Sequence, residues 1–172
     1  LAAAGMRFDR CFPATAMCAP TRQQLYTGIF PVRNGAYPNH SRVYDGTKSI
    51  VHYLRDRGYR VGLCGKKHFG PRESFPFETV GKNDLRRFVS AAGPWCLVYT
   101  SHSPHCPWSA GHAERYDPEK ITIPAYMIDT PETRRALCRY YAEVTDFDRE
   151  VGECMDVVED AGTAENTMFI YT

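Results

Sequence analysis

No stretch of this sequence approaches the run of about 18 apolar residues that a membrane span requires. Charge of one sign is missing too. Twenty-one Lys and Arg stand against 20 Asp and Glu, a net charge of +1. That balance gives no basic bias toward nucleic acid and no acidic tail. Among seven cysteines there is no Cys-x-x-Cys pair, and the number is odd. A dithiol redox motif and a fully paired disulfide framework are therefore not implied. Internal repeats and low-complexity segments are absent, and no secretory leader is readable. The sequence opens at Leu1 in what reads as the tail of a helix, Leu1 to Ala4 with Gly5 as its cap. It stops at Thr172 inside an apolar run, so the expectation is a part of a longer domain.

What is present is an ordinary globular composition. The 172 residues are 43% hydrophobic and 24% charged, enough for one domain with a core. Cys64, Cys96, Cys138 and Cys154 sit in apolar or helical contexts and read as buried small hydrophobes. Met6 to Phe12 alternates loosely, as a short strand would. A short helix is expected from Pro20 to about Gly28, with proline in its first turn. Phe30 to Gly46 carries Pro31, Asn34-Gly35 and Pro38 and reads as loop. Ser49 to Arg57 is helical with Ile50, Tyr53 and Leu54 on one face. Tyr59 to Cys64 and Trp95 to Thr100 read as strands, Pro71 to Lys82 as irregular chain, and Asp84 to Ser90 as a short helix. Pro131 to Ala161 is the clearest helix. Leu137, Tyr141, Val144, Phe147, Val151, Met155 and Val158 recur at spacings of three and four. Thr130 is its cap and Gly162 its end. Thr167 to Tyr171 reads as a further buried strand.

Strands alternating with helices predict an α/β fold with a mainly parallel sheet. Such sheets place their sites at the carboxyl ends of the strands. Two polar clusters lie at such ends: Gly65-Lys66-Lys67-His68, and His102 to His105 at the start of a long Pro- and His-rich loop, residues 101–129. Loops of that length are usually functional. The two clusters are expected to converge.

Three groups of residues could carry chemistry. Cys18 lies just before a helix N-terminus, where outward-pointing amides favour negative charge. Arg22, one turn on, can point to the same spot. Together they read as a nucleophile beside an anion site, or as a buried cysteine with a surface arginine. Lys66 and His68 can reach one anion from a glycine-flanked turn, or form a solvated basic turn. His105, held between Pro104 and Pro107 with Cys106, can serve as general acid or anion donor. With His102, Cys106 and His112 it also offers zinc-ligand types, at a spacing that matches no structural zinc pattern.

Together these motifs resemble one family. Cys18-Ala19-Pro20-Thr21-Arg22, followed by Leu25 and Thr27-Gly28, is similar to the sulfatase signature. Gly65-Lys66-Lys67-His68-Phe69-Gly70 resembles the second signature, and Pro104-His105 the Pro-His after a central strand. By contrast, Cys11-Phe12-Pro13-Ala14-Thr15 begins alike but lacks the arginine. Within the family, Gly-Lys-Lys-His-x-Gly-Pro, Phe75-Pro76-Phe77, Asn34-Gly35-x-Tyr37 and Tyr116-Asp117-Pro118 resemble the heparan N-sulfatase branch.

The resemblance implies an alkaline-phosphatase-like three-layer α/β/α fold, with residues 1–172 a partial catalytic domain lacking its first strand and later part. It implies that a maturation enzyme, aerobic or anaerobic, converts Cys18 to formylglycine. The implied substrate is a sulfated saccharide, from which an O-sulfate or N-sulfate is cleaved. Arg22, Lys66 and His68 would surround the sulfate oxygens, and His105 would protonate the leaving atom. His40 would either touch the sugar or stand as an exposed loop histidine. Calcium is the implied cofactor, held in the family by an aspartate pair on the first strand and a later Asp-Asn or Asp-His pair. Only residue 18, as formylglycine, would be a metal ligand here, so this stretch alone is expected not to turn over substrate. The family's compartments are the lysosome, the periplasm or the cell exterior. Two alternatives remain open at this point: a formylglycine-dependent phosphodiesterase or phosphonate hydrolase of the same fold, and an inactive fragment or binding domain.

Overall fold

Three parallel strands carry the site, and a computed structural model describes all 172 residues around them. The elements run α1 (Cys18–Thr27), α2 (Pro31–Asn34), α3 (Ile50–Arg55), β1 (Arg60–Gly65), β2 (Glu78–Thr79), α4 (Leu85–Val89), β3 (Trp95–Thr100) and α5 (Pro131–Asp160). The strand order is β2-β1-β3, with both pairings parallel. β1 lies at the centre, and its residues 61–64 are buried on both faces. Alternation sends Leu63 into a cluster with Tyr26, Ala36, Val43 and Phe75. Cys64 faces the opposite side, with Val80, Leu85, Phe88, Val89 and Val158. Each large side chain fully buried in these layers contributes about 1.5–3 kcal/mol.

Gly65 ends β1 at φ +99°, and a Cβ there would lie 2.1 Å from the carbonyl oxygen of Thr100. Only glycine allows the chain to leave the strand this close to β3. The register pairs Cys64 with Tyr99 and Gly65 with Thr100. The carboxyl ends of β1 and β3 are therefore side by side, and the Lys66 turn and the His102–His105 loop leave from the same edge.

α5 is capped as its sequence predicts. The Thr130 hydroxyl accepts from the Thr133 amide at 3.2 Å, Pro131 takes the first helical position, and Gly162 turns the chain at φ +70°. Its buried stripe differs from the expected one. Val144 is exposed, while Glu143 and Glu150, seven residues apart on one face, are buried. Their carboxylates have partners that an apolar stripe would not supply. Glu150 accepts from the Lys82 ammonium at 2.6 Å, and Glu143 receives a loop described below.

Several expected elements do not form. Met6 to Phe12 is an exposed, irregular segment. Thr167 to Tyr171 has no strand ladder, and Met168 and Ile170 are 84% and 80% exposed. A strand exists only by pairing. Here the Thr167 amide and hydroxyl bond back to Ala164 and Thr163, and the ring of Tyr171 stacks on Phe147. Gly5 is extended (φ −149°) rather than a left-handed cap. The supposed loop from Phe30 to Gly46 contains α2, started by Pro31, and the irregular stretch 71–82 contains β2. Of the four cysteines expected inside, Cys64 and Cys138 are buried, and Cys96 and Cys154 are half-buried. Burial pushes the Cys154 thiol up to about 11. All seven cysteines are free.

Candidate active site

Cys18 is the first residue of α1, after Met17 in extended conformation. Two motifs distant in sequence meet it. The Lys66 ammonium donates to the Cys18 sulfur at 3.7 Å. Arg22, one turn along α1, donates from Nη1 to the Lys66 carbonyl at 3.3 Å. The hydroxyl of Thr100 donates to the carbonyls of Cys64 and Lys66 at 3.0 and 2.8 Å, and the Lys66 amide returns a bond to the Thr100 carbonyl at 3.1 Å. The turn carrying Lys66 is thus fixed from both α1 and β3.

Histidines close the other side. Asn39 accepts from the amide of Ala19 through Oδ1 at 3.3 Å, satisfying one of the free N–H groups of the first turn of α1. This places His40 beside that helix end. Its Nδ1 lies 2.9 Å from Nε2 of His68. The Asn39 side-chain NH2 lies 3.4 Å from His40 Nε2. Since Asn39 Oδ1 is already an acceptor, its NH2 donates to His40 Nε2. His40 then carries its proton on Nδ1 and donates to His68. That leaves the proton of His68 on Nδ1, an atom buried without a partner. Both histidines have left-handed backbones, φ 63° and 51°. Such conformations cost on the order of 1–3 kcal/mol each and persist where surrounding structure enforces them. Burial first, then the charges of His40, Lys66, Arg22 and His105, push the His68 imidazole below its usual value.

What enforces this arrangement is Gln23, which is fully buried. Its amide nitrogen donates to the carbonyls of Ala19 and Ser41 at 3.1 and 3.0 Å. Its oxygen accepts from the amides of Val43 and Gly70 at 3.1 and 3.3 Å. One side chain therefore holds α1, the His40 loop and the end of the His68 turn together. Phe69 adds an apolar tie, with its ring edge-on to Tyr26 of α1 at 5.6 Å. Gln23 escaped the motif reading. Its signal was a polar residue within the buried stripe Ala19-Gln23-Tyr26, at helical spacings of four and three.

His105 is exposed at the rim. It makes no hydrogen bond to the other candidates, although its charge weighs on His68. Its Nδ1 donates to the Cys106 carbonyl at 2.6 Å, leaving Nε2 free. The zinc alternative fails. No three His, Cys, Asp or Glu side chains gather as a metal-binding group, and His112 bonds instead to Glu114 at 2.8 Å.

A thiol, an ammonium, a guanidinium and two imidazoles thus gather at one helix end, beside the carboxyl edge of a parallel sheet. The family model Sulfatase matches residues 1–91, which include every member of that cluster. The chain belongs to the sulfatase family. Its α/β architecture is accordingly the alkaline-phosphatase-like one. It is 29% identical to the ulvan-active sulfatase of Formosa agariphila, over all of this chain and 38% of the relative. It is 27% identical to human N-sulphoglucosamine sulphohydrolase, over all of this chain and 44% of that protein. With the choline-sulfatase of Rhizobium meliloti it shares 21% identity over 99% of this chain and 50% of that enzyme. The chain spans half or less of the length of these curated relatives.

The groups around Cys18 are cations and nitrogen donors. A calcium ion takes six to eight oxygen ligands. This cluster does not fit one by itself.

Proposed function

We propose that this chain carries the nucleophile and sulfate-binding side of a hydrolase that removes sulfate from a sulfated sugar, as an O-ester or an N-sulfoglucosamine-like sulfamate, with residue 18 acting as formylglycine. The observation that carries the reading is the contact between the Lys66 ammonium and the Cys18 sulfur at 3.7 Å. It brings the second sulfatase-like motif onto the reactive residue of the first. As an aldehyde hydrate, residue 18 would offer two hydroxyls on one carbon, one to take up sulfate and one to release it. The outward amides of α1 and the Lys66 charge favour negative charge there. Arg22 holds the Lys66 turn through its carbonyl. The unpartnered Nδ1 donor of His68 supports an anionic occupant, since a sulfate oxygen would satisfy it. His40, exposed in its loop, fixes the tautomer of His68. His105, with Nδ1 tied to Cys106, would protonate the leaving oxygen or nitrogen from Nε2. Calcium and the maturation enzyme that would oxidise Cys18 enter from the family alone.

The sugar assignment is supported by the relatives named for ulvan and N-sulphoglucosamine, both aligned over the whole chain. The test uses the full-length protein produced with a formylglycine-generating enzyme. Mass spectrometry of the peptide containing residue 18 is expected to show sulfur replaced by oxygen with the loss of two hydrogens, the change from thiol to aldehyde. Release of sulfate from N-sulfoglucosamine or a sugar O-sulfate is expected to exceed hydrolysis of a phosphate diester and to vanish in Cys18→Ala. An unmodified Cys18 with no sulfate release, or faster phosphate-diester hydrolysis, overturns the proposal.

A further inference from the structure

His105 sits in a long loop, yet its own bonds are local. Its amide donates to the His102 carbonyl at 2.9 Å and its ring to Cys106. Neither ties it to the sheet or to the cluster around Cys18. The loop is fastened elsewhere, by one carboxylate of α5. Glu143 is 4% exposed. Its Oε2 accepts from the Ser103 hydroxyl at 2.6 Å. Its Oε1 accepts from the amides of Ser109 and Ala110 at 2.9 and 2.7 Å. These donors flank His105, two residues before it and four and five after. The span between them is drawn into a closed bow with His105 on its crest.

Other contacts brace the same bow. The Trp108 indole donates to the Pro104 carbonyl at 3.0 Å, and its ring stands edge-on to Tyr140 of α5. Gly111 lies so close to α5 that a Cβ would stand 2.4 Å from the Ala142 carbonyl oxygen, at φ +74°. Burial pushes the Glu143 carboxyl up, but the bonds from Ser103, Ala110 and Ser109 outweigh it and hold it below the usual carboxylate range. A charged carboxylate in a buried place is costly unless fully bonded. Packing alone would be served as well by an apolar residue at this helix position.

We infer that Glu143 is a positioning residue for proton donation, setting the place of His105 by clamping both flanks of its loop. The inference rests on the reading of His105 as the acid that protonates the leaving group. It predicts a dependence on the leaving group. A sugar alcohol leaves poorly and needs the proton, whereas p-nitrophenolate leaves without it. General acid catalysis contributes about 10²–10⁴-fold.

The test measures kcat on a sugar sulfate and on p-nitrophenyl sulfate in the mature, full-length enzyme. Glu143→Ala is expected to lower kcat on the sugar sulfate about 10²-fold, and on p-nitrophenyl sulfate less than about threefold. Glu143→Gln, which keeps one acceptor oxygen, should fall between Glu143→Ala and the unsubstituted enzyme. Ser103→Ala removes one clamp bond without touching the charge, and serves if Glu143→Ala does not fold. It should show the same selectivity, less strongly. His105→Ala is the reference. If it is selective and the clamp variants lose equally on both substrates, or on neither, the positioning role is overturned alone. If His105→Ala itself loses equally on both, the acid reading fails and the inference falls with it.

Discussion

At His68 two demands compete. An imidazole beside Lys66 and Arg22, bonded to a second imidazole, resists taking another proton, and burial strengthens that resistance. Unfolded, the same side chain titrates near pH 6.5. The unfolded chain therefore binds a proton that the folded chain refuses. Stability from this source is complete above about pH 6.5 and is lost as pH falls through that value toward the lower folded one. Calorimetry at stepped pH should show the melting temperature dropping between about pH 7.5 and pH 5.5. His68→Gln should flatten that slope; an unchanged slope would place the protonation elsewhere. The residue types in this cluster were readable from the chain, because Cys-x-Pro-x-Arg and Gly-Lys-x-His carry their chemistry in their spacing. The pairing of His40 with His68 was not, since it depends on two left-handed backbones and on Asn39 meeting the amide of Ala19, which no local pattern announces.

At the scale of elements, α1 and the two histidine loops form one body through Gln23. Replacing it with Leu would leave the Gly70 amide without its acceptor and the Ser41 carbonyl without the Gln23 donor, while the Val43 amide keeps the Gly70 carbonyl at 2.9 Å. Unmade buried bonds cost about 1–3 kcal/mol each, so Gln23→Leu is expected to lose about 2 kcal/mol in urea denaturation. Gln23→Glu keeps an acceptor but buries a charge and turns a carboxylate oxygen toward the carbonyls of Ala19 and Ser41, so it should lose at least as much. A loss below about 1 kcal/mol for Gln23→Leu would mean the loops are held otherwise. The strands β1 and β3 and the helices α1 and α5 were legible, because apolar runs and capped periodic helices declare themselves. The failures share one cause. Met6 to Phe12 and Thr167 to Tyr171 have strand composition, but composition supplies no partner. The stripe of α5 was misread at Val144 for the converse reason, since Glu143 and Glu150 are buried by loop amides and a lysine rather than by hydrophobicity.

At the scale of the whole molecule, exposed apolar residues are spread along the chain: Met6, Phe8 and Phe12, then Phe30 and Val32, then Tyr126 and Ile128, then Met168 and Ile170, and every residue of β3 is only half-buried. Exposed apolar patches mark contact sites or aggregation. A polypeptide of these 172 residues alone is expected to bind the dye ANS and to self-associate in sedimentation velocity. No dye binding and a single monomer boundary would mean these side chains do not act as a contact surface.

Thr100 gives its carbonyl and its hydroxyl to the Lys66 turn while standing in register with Gly65. The seam that zips two strands thereby also carries the turn that brings Lys66 to Cys18. That turn cannot loosen without parting the strands beneath it.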